Sequence, residues 1–464
     1  MAEQTSSSKP SDIVTATGLS AEWLNSSCFC VSLDRASLTR ALNAELVSPQ
    51  IRSLVEERIP TLFSERPVFI SDHQFQRMAQ VIHAVESVVA MPAYRTQILA
   101  HAPAAARHDP CRAKGVFFGY DFHVSGDDLG LIEINTNAGG AMLNAVLARA
   151  HQSCCLDADR EEELARSAAG LDTKIVEMFH QEWNLCRRGR PLQTIAIVDS
   201  QPQQQYLYPE FLMFQGLFER HGLNAVIADP SELAWQDGRL QFNGLAIDLV
   251  YNRLTDFMLA SPKCRNLLAA YLADAIVLTP HPQAYALYAN KRNLALLSDA
   301  GSLQALAVPA PLQEILLENI PRTQIVTQEN ADQLWQERRR LFFKPMEGYG
   351  SRAAYRGDKL TKRVWDEILS GEYVAQAIAS PGERISGSKG DPQSLKFDIR
   401  CYVYDGRVQW MAARMYQGQT TNFRTRGGGF APVYRLPDTG INQDNHVLLD
   451  SAANAMACCR NVCD

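Results

Sequence analysis

The chain has 464 residues, long enough for two or three domains each with a sizeable core. Its net charge of −6 gives no electrostatic reason to expect nucleic acid as the main partner, and no run approaches the roughly 18 apolar residues of a membrane helix. With 46% hydrophobic and 21% charged residues, the composition is that of an ordinary soluble globular protein.

The first residues, MAEQTSSSKPSD, are polar and lack an apolar signal core, which predicts a short disordered tail. Eleven cysteines, an odd number without an export signal, point to a reducing, cytoplasmic setting. The pairs Cys28/Cys30 and Cys154/Cys155 and the group Cys458/Cys459/Cys463 lack zinc-site spacing and read as small buried hydrophobes.

Ser71 and Gln74 form a candidate capping box for a helix whose stripe is Phe75, Met78, Ile82, Val85 and Val89. That helix should end near Pro92, with Arg95 in the following loop. The stretch 115–144, GVFFGYDFHVSGDDLGLIEINTNAGGAMLN, reads as two strands joined by SGDDLG, then a glycine turn entering a helix. Alternation puts Glu133 and Asn135 on one face, with Asp121 able to face them from the partner strand. Two carboxylates and an amide oxygen on one sheet surface suit Mg²⁺ with phosphate oxygens completing its shell; the bland alternative is a hairpin whose polar residues face solvent. A further helix runs through Leu164, Leu171, Ile175 and Phe179.

The basic run at 187–191 marks a plausible domain boundary. Beyond it TIAIVDS, NAVIADP and IDLVYNR are short buried-type strands, with an amphipathic helix over 211–221 between the first two. This alternation predicts a small parallel sheet whose strand ends expose Asp199, the glutamines at 201–205 and Arg253, where ligands of such sheets sit. Loop residues of this kind are as often plain solvent-facing groups.

From about 280 the character changes again. ALYANKRNLALLSD predicts a helix carrying Lys291, and LFFKPMEGYGSR a strand entering a glycine-rich loop, with Lys344 at the strand end. YVAQAI is a buried strand, LKFDIRCYVYDGRVQWMAARMYQG a hairpin turning at Asp405-Gly406, and TTNFRTRGGGFAPV a polar, glycine-rich loop. A last helix is expected over 445–460. Glycines let backbone N–H groups approach phosphate oxygens, but the Walker A and GxGxxG patterns are absent. Asp398 is favoured as a cross-strand salt-bridge partner rather than a catalytic group.

FFKPMEGYGSR, YVAQAI and FDIRCYVYDGRVQWMAARMYQG together resemble the nucleotide-binding half of the ATP-grasp ligases, and GYDFHVSGDDLGLIEINTNAGG is similar to the segment that carries their magnesium ligands. Since that segment here precedes both lysines, the chain resembles the circularly permuted members, eukaryotic glutathione synthetase and the glutathionylspermidine synthetases. The resemblance covers about half the chain, 115–144 and 285–433. It implies an α/β (α+β) protein: a circularly permuted ATP-grasp fold with a small parallel-sheet α/β substrate domain and N-terminal helices. The expected divisions are 1–72 (tail and helical segment), 73–186 (metal-binding hairpin and helices), 187–280 (substrate domain) and 281–464 (main ATP-grasp domain with a C-terminal helix).

By position the resemblance assigns Lys291 and Lys344 to ATP, Gln376 with the backbone of Ala377 and Ile378 to adenine, and Glu383 to the ribose. It assigns Arg400 to the transferred phosphate. Arg414 and the 422–426 loop, with Asn422 on the nucleotide and Arg426 on the substrate, would cover the reacting carboxylate; 422–430 is the candidate lid. Asp121, Glu133, Asn135 and Glu347 match the magnesium ligands, although the Glu347 loop is one residue shorter than in glutathione synthetase. Arg253 and Arg95 are candidate substrate contacts. The implied activity is ATP-dependent joining of a carboxylate to an amine, on an amino acid, peptide or polyamine, with ATP and Mg²⁺ as cofactors. A phosphotransferase on the same fold and a nucleotide-binding protein without turnover are the alternatives. The implied partners are a small-molecule acid and amine, with neither nucleic acid nor membrane; a homo-oligomer is compatible with the sequence but not specified by it.

Overall fold

The computed structural model describes residues 20–438 except 30–32, 46–52, 54, 58–60, 152–157, 188, 349, 351–352, 389, 422–424 and 426, and describes only the backbone at 158–161, 163 and 165. The expected N-terminal tail and C-terminal helix lie outside the described residues. Along the chain, β1 (Val68–Ser71) leads into the helix Asp72–Val89, and β2 (Phe118–Ser125) and β3 (Asp128–Asn135) form the expected hairpin. The helices Ala141–Ala150 and Ala158–Cys186 follow. The middle of the chain holds β4 (Thr194–Val198), β5 (Asn224–Ala228), the short β6 (Leu233–Gln236), β7 (Arg239–Phe242) and β8 (Leu245–Ala246), then β9 (Leu249–Asn252) and β10 (Val277–Thr279). Next come β11 (Thr323–Ile325), β12 (Leu341–Pro345), β13 (Tyr355–Arg356) and β14 (Tyr373–Ala377). β15 (Gly382–Ser388), β16 (Asp391–Tyr404), β17 (Arg407–Tyr416) and β18 (Gly429–Leu436) complete the set.

Seven of these strands make the largest sheet, in the order β1-β18-β17-β16-β2-β3 with β15 also on β16. The early hairpin therefore completes a late sheet: β2 pairs antiparallel with β16, setting Asp121 opposite Arg400 across 279 positions of sequence. Period-two alternation divides the side chains of β16 cleanly. Ile399, Cys401 and Val403 pack on the helix Asp72–Val89 through Met78, Ile82, Val85 and Val89, whereas Tyr402 and Tyr404 join the core under Ala141–Ala150 and Ala158–Cys186. Arg400 and Asp398 share the second face but lie nearer the start of β16, beyond the cover of those helices. That leaves them for the cleft.

The capping box forms as read, with Ser71 accepting from the Gln74 N–H and Gln74 from the Ser71 N–H. Gly140, at φ 101°, opens the helix Ala141–Ala150, and a Cβ there would meet the Phe430 ring at 2.2 Å, so only glycine fits. The predicted small parallel sheet is present in the order β10-β9-β4-β5. A four-stranded antiparallel sheet, β11-β14-β12-β13, carries Lys344. No helix among the described residues is long and apolar enough to cross a membrane.

Three local expectations need correction. Arg95 lies in a helix, Pro92–Leu99, because Pro92 begins it at the first turn rather than ending its predecessor. Lys291 is not inside a helix: a π-helical turn ends at Ala289, Asn290 is extended, and Lys291 caps Arg292–Leu297. The end of the glycine-rich stretch is strand, not loop, since Gly429 begins β18 and buried Phe430 accepts from the Ser64 N–H.

Candidate active site

The floor of the cleft is a lattice of charge on β2, β16 and β17. Buried Asp121 accepts from Arg400 Nε and Nη2, both at 2.7 Å, from Arg414 Nη2 at 2.8 Å and from Asn135 Nδ2 at 3.1 Å. Asp398, directly opposite Arg414 in the β16–β17 register, accepts from Arg414 Nε at 2.7 Å and from Thr421 Oγ1 at 2.6 Å. This is the cross-strand salt bridge favoured for Asp398. Burial and Arg414 work against the charge on Arg400, and Asp121 holds it above the usual arginine range. Arg414, flanked by both carboxylates, is likewise held above that range against its burial.

The wall opposite supplies lysines. Lys291 Nζ lies 3.0 Å from Glu133 Oε1 and donates to the Gly348 carbonyl at 3.1 Å. Lys344 Nζ donates to the Ile132 carbonyl at 3.0 Å and to Gln376 Oε1 at 2.8 Å. Burial drives the Lys344 ammonium down to about 8, although Glu133 pulls the other way. Glu133 moves oppositely: burial raises it, but Lys291 and Lys344 win and bring it to about 2. The early hairpin and the late lobe thus meet in one cleft lined by Glu133, Lys291, Lys344 and Arg414, with Ile132, Phe342, Ala377, Ile378 and Pro381 as its apolar part.

Gln376 lines this cleft, but its amide is directed inward. Its oxygen holds Lys344 and its nitrogen donates to Thr323 Oγ1 at 3.2 Å, which in turn donates to the Pro321 carbonyl at 2.8 Å. The N–H groups of Ala377 and Ile378 go to the carbonyls of Arg322 and Arg340. The expected hinge is therefore at the cleft, while those two amides and the Gln376 side chain already have protein partners.

Other expected residues lie elsewhere. Glu383 is exposed on β15 and accepts from Ser394 Oγ at 3.0 Å, outside the cleft lining. Arg95 donates to Gln283 Oε1 at 2.6 Å and does not line the cleft. Glu347 is exposed on the glycine-rich turn, 3.4 Å from Asn290 Nδ2. Arg253 is buried at the end of β9, donating to the Asn137 carbonyl at 2.9 Å and Tyr251 OH at 3.2 Å. Its Nε lacks a partner among the described residues. Nearby Asp199 is raised to about 6 by burial, against the pull of Arg253. Asn422 and Arg426 lie outside the described residues, as does most of the candidate lid; its other end is fixed in β18.

Sequence reasoning passed over His123, Thr421 and Arg356, all of which line the cleft. His123 was legible by alternation from Asp121. Its Nδ1 lies 2.8 Å from the Ala379 carbonyl and Nε2 3.4 Å from Tyr416 OH, and burial lowers its affinity for a proton. Arg356 comes from β13, a two-residue strand with no sequence signal of its own.

The donor chemistry fits a magnesium ion through Glu133 and Asn135, which offer a carboxylate and an amide oxygen. Asp121, expected beside them, has four N–H donors on its two oxygens in this structure. No group of three or more His, Cys, Asp or Glu side chains among the described residues is arranged to hold a metal.

A hairpin-completed sheet facing a smaller lysine-bearing sheet across a cleft is the ATP-grasp arrangement, here with the hairpin moved ahead of both lysines in the chain. Among solved structures the chain is similar to a glutathione synthetase-like effector from Globodera pallida in its apo form, at 11% identity and a TM-score of 0.53, covering 88% of this chain and 100% of that one. It also matches a putative gamma-glutamylcysteine synthetase from Methylobacillus flagellatus KT (12% identity, TM-score 0.43, 83% of this chain and 96% of that one). A third match is the ATP-grasp ligase PsnB complexed with minimal precursor (12%, TM-score 0.29, 52% and 90%). The first likeness establishes the fold. No protein-family model matches the chain, and no curated protein does.

Proposed function

We propose that this protein is an ATP-dependent ligase that joins a carboxylate to an amine through an acyl phosphate, acting on an amino acid, peptide or polyamine. The observation that carries this reading is the convergence of Lys291, Lys344 and Arg414 on Glu133 in one cleft, with Arg400 behind them. With Asp121 and Asp398 the cluster holds four cations and three carboxylates, a surplus of positive charge suited to a triphosphate. Lys291 and Lys344 bind and orient its phosphates, and a charge-assisted hydrogen bond of this kind contributes about 1.5–3 kcal/mol. The apolar residues Ile132, Phe342 and Ile378 form the bed for the base.

In the reaction the substrate carboxylate attacks the γ-phosphate, ADP leaves, and the amine then displaces phosphate from the acyl carbon. Arg414, and Arg400 through the lattice, stabilise the charge on the transferred group by position, without a covalent enzyme intermediate. Mg²⁺, held by Glu133 and Asn135, would neutralise phosphate charge. The acceptor pocket is proposed at the carboxyl ends of β4 and β9, where the unpartnered Nε of Arg253 and the protonatable Asp199 suit an amino-acid or peptide group. In this reading residues 187–280 form the substrate domain, and 73–186 with 281–464 the nucleotide-binding one. The cytoplasm is the proposed location, on the odd number of cysteines in the sequence.

The test is to incubate the protein with ATP, Mg²⁺, hydroxylamine and a panel of amino acids and peptides. An acyl phosphate is trapped as a hydroxamate with stoichiometric ADP. ADP with a phosphorylated product and no hydroxamate would establish a phosphotransferase instead, and tight ATP binding without ADP would leave a binding protein.

A further inference from the structure

Two thiols outside the nucleotide cleft form a second chemical feature. Of the five described cysteines, Cys28, Cys264 and Cys401 are buried; Cys111 and Cys186 are the half-exposed pair. Although 75 positions apart, they meet where the loop before β2 crosses the end of the helix Ala158–Cys186. The two residues touch through the Cys186 thiol and the Cys111 backbone. Cys186 Sγ donates to the carbonyls of Pro110 and Cys111, both at 3.3 Å. Cys111 Sγ lies 3.7 Å from Asp274 Oδ1 and 3.9 Å from Arg187 Nη1.

The surroundings fix this meeting. Cys111 and Arg112 both adopt left-handed backbone, at φ 56° and 69°, a conformation that non-glycine residues hold only where their neighbours impose it. Arg187 ties the loop to both neighbours, donating to the carbonyls of Cys186 and Asp274, and His108 Nε2 lies 2.9 Å from Asp274 Oδ1. Asp274, His108 and the two thiols are the ligand types of a soft metal site, yet no three such side chains among the described residues are arranged to hold an ion. The chemistry left to the pair is that of a dithiol.

We propose that Cys111 and Cys186 form a reversible intramolecular disulfide, an oxidation site separate from the nucleotide cleft and taking small organic disulfides as its oxidant. Cys111, beside the Arg187 guanidinium, is the attacking sulfur. Its thiolate attacks one sulfur of the small disulfide, forming a mixed disulfide and expelling one thiolate. Cys186, whose thiol is pushed up to about 12 by burial with Cys111 beside it, then gives its proton to solvent and displaces the second thiolate. Two protein thiols are oxidised to one disulfide, and one small disulfide is reduced to two thiols. The bond links the entry to β2 with the end of a long helix, and closing so long a loop restricts the unfolded chain.

The experiment treats the full-length protein with graded ratios of 2-hydroxyethyl disulfide to 2-mercaptoethanol, alkylates the remaining thiols and maps the peptides by mass spectrometry. The expected result is a Cys111–Cys186 linked peptide, two hydrogens lighter than the sum of its parts, that appears with oxidant, vanishes with excess thiol and accompanies a higher melting temperature. Cys186→Ser leaves Cys111 as the mixed disulfide with no linked peptide. Cys111→Ala, as a second variant, abolishes the same linked peptide. Independent alkylation of Cys111 and Cys186 at every ratio, or linkage of either to another cysteine in preference, overturns the proposal.

Discussion

The floor and the wall of the cleft are both charged, and they are built on opposite terms. On the floor, Asp121 and Asp398 are wholly buried and surrounded by the N–H groups of Arg400 and Arg414, all from adjacent strands of one sheet. On the wall, Lys291 and Lys344 reach across from separate segments. Among the described residues each ammonium uses two of its three N–H donors. The filled carboxylates of the floor lock the early hairpin to the late sheet, whereas each ammonium of the wall keeps an N–H donor for a ligand. Charge alone does not distinguish the two; the degree to which each group is already satisfied does.

Removing the hub of the floor should have the largest effect. Asp121→Asn keeps the shape but leaves Arg400 and Arg414 buried against a neutral group, and losing one member of a buried charge network costs about 3–5 kcal/mol. Urea denaturation should show that loss; a midpoint equal to wild type would mean that the lattice does not hold the hairpin. Glu133→Gln should behave the other way. Glu133 is part-exposed at the cleft, so the loss of stability should be smaller than that of Asp121→Asn, whereas turnover in the hydroxamate assay should fall by at least about 100-fold. The Glu133 carboxyl, brought to about 2, favours the folded state above the ordinary carboxylate range, and that contribution disappears as pH falls toward 2. A Glu133→Gln protein with unchanged turnover would remove this carboxylate from the site.

How much of this was legible follows the range of the interactions. The hairpins, the capping box and the parallel sheet are set by neighbours a few residues apart, and alternation, turn residues and cap residues announce them. The small β6–β8 sheet was missed although Asp237-Gly238 and Asn243-Gly244, all left-handed, are the turn pairs that mark tight hairpins. The convergence of Lys344 with Glu133 was reached only through the family resemblance, because strand pairing across hundreds of residues leaves no local trace. The roles of Asp121 and Gln376 were beyond reach for a different reason. A carboxylate on a sheet face looks the same in sequence whether a metal or two arginines from two other strands occupy it.

Gln376 gives the finest test, because two roles for it predict different pH behaviour. If its amide serves mainly to hold Lys344, it helps to keep a part-buried ammonium protonated near its limit of about 8. Protonated Lys344 attracts the triphosphate, so wild-type ATP affinity should be steady below pH 8 and fall as pH rises through it. Gln376→Leu removes the 2.8 Å partner, so the Lys344 limit should drop further and affinity near pH 7.5 should weaken by about tenfold. Gln376→Glu sets a carboxylate beside the ammonium, which should move the alkaline limb above the wild-type position and restore affinity at neutral pH. Calorimetric titration of ATP from pH 6.5 to 9.5 separates the possibilities. A residue that reads the base would instead alter preference among nucleotides and leave the alkaline limb where it was, which would return Gln376 to the adenine pocket.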